Sequence, residues 1–309
     1  MLATRELRPL ALTNATPGRP PHLSAGSGLI RRGDHIYVVG DDELDLAVFR
    51  RGDDGPGELV RLFEGALPLE GRERSSAKPD LEAVTVIPPF RFHPHGALLA
   101  LGSGSKDSRE RGFVWSLDED GALRGFPRVI DVSPLYDFVR RHIEGRLNIE
   151  GVAVAQGHLC LFQRGNSVGA ANMVLRLSLD EVMTTLISDF VVQAEELASV
   201  RVYDLGARNG IDLDFTDGDA LPDGRLVFSA AAEEVSESTQ GGQGGSVVGI
   251  IGVDGAIERM VPLADETLKV EGIDAVASDG LIDLLMCTDA DDPLVPSPLL
   301  AATLPDAPE

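Results

Sequence analysis

Four acidic residues occupy similar places in a repeated pattern, each immediately before a short apolar segment. They are Glu82, Glu150, Asp217 and Glu271. Carboxylate oxygens are the ligands that hard divalent cations such as Ca²⁺ prefer. If the fold brings these residues together, the sequence therefore predicts a site for Ca²⁺ or another divalent cation.

Polar residues also recur after the second apolar segment of several copies of the pattern. The clearest examples are Ser103, Ser105 and Lys106 in one copy, and Arg164 and Asn166 in the next. We predict that Ser103, Ser105 and Asn166 bind a cofactor or ligand. Lys106 and Arg164 would orient an anionic ligand, because ammonium and guanidinium groups form strong hydrogen bonds with anions.

The elements that position these residues form a repeat. Five copies of the pattern follow one another at broadly even spacing, which indicates a repeat architecture. Each copy contains three or four short apolar segments separated by turn residues, as a blade of antiparallel strands requires. We predict an all-β fold, a five-bladed β-propeller of four-stranded blades in a single domain over residues 1–309. Six blades are the alternative, if the longer third copy contains an additional sheet.

Both ends of the chain support ring closure. The last copy lacks one strand, whereas residues 4–12, within the N-terminal segment 1–12, form a strand candidate with no local partner. Pairing this strand with the last blade would remove an exposed sheet edge. Two stretches do not fit the blade pattern and predict short helical insertions, near 134–145 and 180–188.

In a propeller the first strand of each blade lines the central channel, so the four acids are expected around one channel mouth. Three interpretations of this ring remain open. The acids bind a metal ion, they bind a ligand directly, or they serve only the fold. In the third case they pair with nearby basic residues (Lys78, Arg146 and Lys269) or accept backbone N–H groups where blades meet.

Composition limits the classes of partner. The chain has 50 acidic and 27 basic residues and a formal charge of −23, which repels nucleic acids and anionic membranes and favours cations. Both cysteines, Cys160 and Cys287, lie in apolar strand segments and are expected to be buried free thiols. The sequence contains neither a secretory signal nor an apolar run of the ~20 residues that a membrane helix needs. We expect a cytoplasmic monomer.

Several motifs resemble those of an uncharacterised bacterial family of propeller proteins. They are Lys78–Ala83, Gly102–Ser105, Leu147–Gly151 and Phe162–Asn166. The Glu-Gly strand starts are also similar to those of the wider phytase-like and esterase-like propeller group. This wider resemblance implies calcium-dependent hydrolysis of phosphate esters as one activity. The gluconolactonase propellers, with a Glu/Asn/Asp metal site, are a further analogy.

Two functional hypotheses follow. In the first, the polar channel mouth binds a small ligand or a protein partner without catalysis. In the second, a divalent cation held by the four acids activates water for hydrolysis of a small anionic ester or lactone. The catalytic residues would then be Glu150, Arg164 and Lys106, with one free carboxylate as the general base.

Overall fold

The computed structural model describes residues 1–69, 71–165, 170–233 and 243–306. Within these ranges, 21 strands form five antiparallel sheets arranged as a ring. The predicted five-bladed propeller is confirmed, and the six-bladed alternative is not. The innermost strand of each blade contacts the innermost strands of the blades on either side, which closes the ring around a central channel.

The strands of each blade follow one another along the chain. Blade 1 contains β2 (Gly28–Arg32), β3 (His35–Val39), β4 (Asp45–Arg50) and β5 (Glu58–Arg61). Blade 2 contains β6 (Leu81–Ile87), β7 (Ala97–Gly102), β8 (Arg111–Ser116) and β9 (Arg128–Asp131). Blade 3 contains β10 (Ile149–Ala155), β11 (His158–Gln163), β12 (Asn172–Ser178) and β13 (Leu197–Tyr203).

Blade 4 contains β15 (Ile211–Ala220), β16 (Leu226–Glu233), β17 (Gln243–Ile251) and β18 (Ile257–Pro262), and the two-residue strand β14 (Ala207–Arg208) pairs with β15. Blade 5 contains β19 (Val270–Ser278), β20 (Leu281–Thr288) and β21 (Pro298–Pro305). Its fourth strand is the N-terminal β1 (Arg5–Pro9), which pairs antiparallel with β21. The chain therefore closes the ring as predicted, and β21 has no open edge.

The core lies between the blades. Each of the five apolar clusters joins two neighbouring blades, as Leu98 of blade 2 and Tyr37 of blade 1 do in one of them. The segments that read as continuous apolar runs, such as β3 and β7, are buried along their whole length. This packing of blade on blade fixes the inner strands, and with them the residues at the channel mouth.

Three α-helices occur within the described ranges: two connect neighbouring blades, and the third, α3 (Leu179–Asp189), joins two strands of blade 3. The two predicted insertions are α2 (Ser133–Arg140) and α3 (Leu179–Asp189). The sequence did not predict α1 (Gly71–Ala77), because its residues, Gly-Arg-Glu-Arg-Ser-Ser-Ala, have no apolar periodicity. Cys160 and Cys287 are buried and free, as predicted. Among the described residues, no helix is long and apolar enough to span a membrane.

Candidate functional site

The inner strands of four blades each begin with a β-bulge, where one residue has no direct partner on the second strand. These residues are Glu82 in β6, Glu150 in β10, Thr216 in β15 and Glu271 in β19. A bulge bends the strand locally and changes the direction of the side chain. The bulges thus place three glutamates and one threonine at equivalent positions around one channel mouth.

The residue after each bulge is small or forms a contact with the next blade. A Cβ atom on Gly151 would lie 2.6 Å from the backbone nitrogen of Gly218, and one on Gly272 would lie 3.0 Å from that of Leu29. Real Cβ atoms do not approach backbone this closely. The Glu-Gly motif at positions 150–151 and 271–272 therefore combines a bulge glutamate with a glycine that lets adjacent blades approach.

Asp217 departs from the predicted ring. It follows the bulge residue Thr216 and so corresponds to Gly151 and not to Glu150. Its carboxylate accepts hydrogen bonds from the backbone N–H groups of Gly218 (2.7 Å) and Ile273 (2.9 Å), which join blade 4 to blade 5. The sequence pattern was misaligned by one residue, because Asp217–Gly218 has the same appearance as Glu150–Gly151.

Three carboxylates from blades 1 and 2 form a compact group, which we call the acid triad. Asp41, Asp80 and Glu82 each offer one oxygen within 4.8 Å of the others. Asp41 lies at the corner after β3, and Asp80 and Glu82 lie at the start of β6. The ammonium group of Lys78 contacts Asp41 and lies 2.9 Å from Asp80 Oδ1. The spacing suits a cation with several oxygen ligands.

Asp80 is the most constrained member of the triad. Its backbone has a positive φ of 55°, a conformation that is costly for a residue with a side chain. Asp80 Oδ2 accepts hydrogen bonds from the Ser103 hydroxyl and from Arg109, and Oδ1 pairs with Lys78. The Ser103 and Ser105 hydroxyls are 2.8 Å apart, and Arg109 also donates to Ser105. The two serines thus orient Asp80.

Glu82 has no such partners. Within the part of the chain that the structure describes, its carboxylate takes part in no hydrogen bond and no ion pair. The residue is only partly exposed. Burial raises its pKa well above the usual value, and the nearby charges of Glu150, Asp80 and Asp41 raise it further. Glu82 is therefore a carboxylate without a direct ion pair, and the charge of nearby Lys78 lowers its pKa by less than burial and the neighbouring acids raise it.

Glu150 forms an ion pair with Arg164, which lies at the corner after β11. Its Oε1 accepts a hydrogen bond from Asn148 and lies 3.4 Å from Arg164. Arg164 also pairs with Glu233 of blade 4 at 2.6 Å. Burial raises the pKa of Glu150 to about 8, despite the opposing effect of Arg164. Burial alone would raise the pKa of Glu233, but the nearby charges of Lys269 and Arg164 outweigh burial and lower this pKa.

Glu271 is paired in a similar way, with Lys269 of its own blade. The Lys269 ammonium lies 3.1 Å from Glu271, 3.2 Å from Asp291 and 3.4 Å from Glu233. Burial alone would lower the pKa of this lysine, but the surrounding carboxylates outweigh it and raise the pKa. Asp289 lies nearby, and burial raises its pKa to about 7.

The basic residues that precede the acids therefore pair differently from one blade to the next. Lys269 pairs with Glu271, whereas Lys78 pairs with Asp41 and Asp80 and leaves Glu82 unpaired. Arg146 donates to the carbonyl oxygen of Ser105. Lys106 is exposed at the rim and lies 3.4 Å from the carbonyl oxygen of Ser75. Asn166 lies outside the described residues.

The sequence analysis selected neither Asp41 nor Asp80 as a metal ligand, although Asp80 lies within the motif Lys78–Ala83. The available signal was their position: Asp80 stands two residues before Glu82, and Asp41 follows a second strand as Ser103 and Arg164 do. The sequence alone does not show that the corner of one blade lies beside the strand start of the next blade.

A polar cleft adjoins the acid triad on the blade 1 and blade 5 side. Its volume is about 410 Å³. Its lining includes the charged residues Asp41, Lys78, Asp289 and Asp291, and Leu69 of the segment before α1 contributes an apolar surface. The cleft provides space for an organic molecule directly beside the triad.

Comparison with known proteins supports the fold and the family. The model of a family of unknown function, DUF6929, matches residues 22–304, which confirms the resemblance to an uncharacterised family. No curated protein matches the sequence. The glutaminyl cyclase of Myxococcus xanthus is 12% identical, covers 98% of this chain and 97% of its own, and superposes with a TM-score of 0.51.

Two further structures superpose on this chain with lower TM-scores. The Leishmania mexicana mannose phosphorylase MPT-4, solved with a phosphate ion, is 16% identical over 97% of this chain and 89% of its own, with a TM-score of 0.48. A gluconolactonase of Xanthomonas campestris is 13% identical over 92% and 88%, with a TM-score of 0.36. At these identities a structural similarity does not indicate a shared activity.

Proposed function

We propose that this chain, which belongs to the family DUF6929, binds a small ligand at its channel mouth through a divalent cation held by Asp41, Asp80 and Glu82. The observation that carries the proposal is the unpaired carboxylate of Glu82 beside two other acids. A largely desolvated carboxylate with neither a hydrogen bond nor a direct ion pair is costly, and a bound cation would reduce that cost.

The charge balance of the whole mouth supports a cation. Eight carboxylates meet there: Asp41, Asp80, Glu82, Glu150, Glu233, Glu271, Asp289 and Asp291. Four basic side chains pair with them: Lys78, Arg109, Arg164 and Lys269. The excess of negative charge is consistent with the raised pKa values of Glu82, Glu150 and Asp289.

The cation would have hard oxygen ligands, which favours Ca²⁺, Mg²⁺ or Mn²⁺ over softer metals. Asp217 is not among the proposed ligands, since both of its oxygens already accept backbone N–H groups. Glu150 and Glu271 lie at equivalent bulges but each already has a basic partner. The adjacent cleft would hold the rest of the ligand, including an anionic group that contacts the cation.

The experiment compares melting temperatures of metal-stripped protein with added Ca²⁺, Mg²⁺, Mn²⁺ and Zn²⁺. At a hundredfold excess over Kd, a bound cation stabilises the folded state by about 2.7 kcal/mol. We expect this rise in the wild type and not in Glu82→Gln. Glu271→Gln is the matched control, because it makes the same change at an equivalent but paired position, and it should retain the rise. A wild type that no cation stabilises would exclude the proposal.

A second candidate function, metal-dependent hydrolysis of a small ester or lactone, rests on Glu150. Its Oε2 has no partner among the described residues, and burial raises its pKa to about 8, which suits a general acid–base group near neutral pH. The bound cation would lower the pKa of a bound water, and Arg164 would orient the substrate. Turnover of phosphate esters or lactones that requires both Glu82 and Glu150 would establish this function. Turnover that survives Glu150→Gln would exclude its role.

A further inference from the structure

Lysine is unusually rare in this chain. Only three of the 27 basic residues are lysines: Lys78, Lys106 and Lys269. All three lie at the same end of the propeller, around the channel mouth, and two of them contact the carboxylates there. Elsewhere the chain uses arginine. The two side chains are not equivalent, because lysine carries a compact charge on a flexible stem, whereas arginine has a rigid planar fork.

Both carboxylate oxygens of Asp80 already have partners. Oδ2 accepts hydrogen bonds from Ser103 and Arg109, and Oδ1 pairs with Lys78 at 2.9 Å. Lys78 also contacts Oδ2 of Asp41, while the other oxygen of Asp41 is buried and has no hydrogen-bond partner. Because the Lys78 ammonium contacts Asp41 and lies 2.9 Å from Asp80 Oδ1, a cation that binds Asp41, Asp80 and Glu82 together would compete with it for these two carboxylates.

Lys78 is the group that can move. Arg109 is held by hydrogen bonds to Asp80, to Ser105 and to the carbonyl oxygen of Ser75. Lys78 is held by its ammonium group alone, its side chain is 14% exposed, and it lines the cleft. Asp289 and Asp291 line the same cleft as Lys78 and could receive the displaced ammonium group.

We propose that Lys78 is a tethered counter-cation that determines the specificity of the site. It occupies the triad until a divalent cation displaces its ammonium group toward Asp289 and Asp291. A divalent cation carries enough charge to compete with the lysine for two carboxylates, whereas a monovalent cation does not. Lys78 would thereby exclude Na⁺ and K⁺ and couple cation binding to the adjacent cleft. This inference rests on the proposed cation site.

The test is calorimetric titration of metal-stripped protein with Ca²⁺ and with Mn²⁺. We expect Lys78→Met to lower Kd by at least about tenfold, since a unit charge about 4 Å away exceeds that effect even at an effective dielectric constant near 20. Lys78→Gln is a second variant, in case Lys78→Met fails to fold. Lys106→Met is the matched control, because Lys106 is at the same rim without an ion pair to the triad, and the Kd of this variant should change far less than that of Lys78→Met.

A second measurement follows the lysine directly. With only three lysines, selective ¹³C labelling at Cε gives three signals, which single substitutions assign. Addition of Ca²⁺ should shift the Lys78 signal strongly and leave the Lys106 signal in place. A wild type that binds Ca²⁺ with an unchanged Lys78 signal, or a Lys78→Met variant that binds no tighter, would overturn the inference and leave the cation site intact.

Failure of the proposed function can be distinguished from failure of the inference about Lys78. If Ca²⁺ and Mn²⁺ bind Lys78→Met but not the wild type, the role of Lys78 is supported, and the proposed function of the native chain is wrong. If neither protein binds, both proposals fail.

Discussion

Glu82 and Thr216 occupy equivalent bulge positions on the inner strands of blades 2 and 4. Glu82 faces the channel mouth without a partner, whereas the Thr216 hydroxyl donates to the carbonyl oxygen of Val270 at 2.7 Å and lies 2.9 Å from the Ser229 hydroxyl. The mouth is therefore asymmetric. Its unpaired carboxylate lies on the blade 2 side, and blade 4 contributes Glu233 from its corner instead.

This asymmetry predicts opposite effects of one substitution at two equivalent sites. Glu82→Gln removes a carboxylate that has no partner and lies near three others, so the free energy of unfolding at pH 8 should equal or exceed that of the wild type. Glu271→Gln removes a partner of buried Lys269 and should lower it by about 2 kcal/mol. Urea denaturation measures both values. A Glu82→Gln protein that is the less stable of the two would contradict this description of the mouth.

A second prediction concerns Asp217. Asp217→Asn replaces one acceptor oxygen with an amide that cannot accept from the N–H of Gly218 or Ile273, so it should cost about 1–3 kcal/mol of stability. Cation binding by the folded variant should be unchanged. Chemical denaturation tests the stability of the variant, and calorimetry tests its cation binding. A loss of cation affinity without a loss of stability would indicate that Asp217 is a metal ligand after all.

A third prediction is that stability falls as pH rises from about 5 to 8. Burial raises the pKa of Glu150 to about 8 and those of Asp219 and Asp289 to about 7. These groups hold protons in the folded chain that the unfolded chain has already released, and the folded state is favoured less as they ionise. The stabilisation is complete below the unfolded pKa values and is lost above about pH 8. Melting curves across this range should show the fall, and Asp289→Asn should reduce it. A rise in melting temperature over the same range would refute this prediction.

A fourth prediction tests the contact between blades 3 and 4. Gly151→Ala would place a Cβ atom 2.6 Å from the backbone nitrogen of Gly218, which cannot move without shifting the inner strand of blade 4. We expect a loss of about 1–3 kcal/mol, the usual cost of overpacking. Ala83, at the same position in blade 2, is the natural comparison, and Ala83→Ser should be tolerated better. Equal stability of Gly151→Ala and the wild type would show that the blades are less tightly packed.

The blade order and ring closure could be predicted because they depend on repetition and on counting strands. The last copy lacks a strand and residues 4–12 have no local partner, so the simplest prediction is that these residues complete the last blade. In the structure β1 pairs with β21 as this predicts. Helix α1 was not predicted because its sequence has no apolar periodicity that would indicate a helix.

The site was predicted less completely, for two physical reasons. A bulge shifts the register by one residue without changing the local sequence pattern, so Asp217 was aligned with glutamates that point in another direction. Ion pairs at the mouth join residues from different blades, such as Lys78 with Asp41 and Arg164 with Glu233. The sequence shows which charges are present, but only the packing of the blades decides which carboxylate remains unpaired.

The most direct test of the cation site is a crystal of this protein grown or soaked with Mn²⁺ and measured for anomalous scattering. We expect an anomalous peak within coordination distance of carboxylate oxygens of Asp41, Asp80 and Glu82, with the Lys78 ammonium group moved away from Asp80. The same experiment on Glu82→Gln should show no peak there. An empty triad in the wild type at millimolar Mn²⁺, with Lys78 still between Asp41 and Asp80, would contradict this expectation.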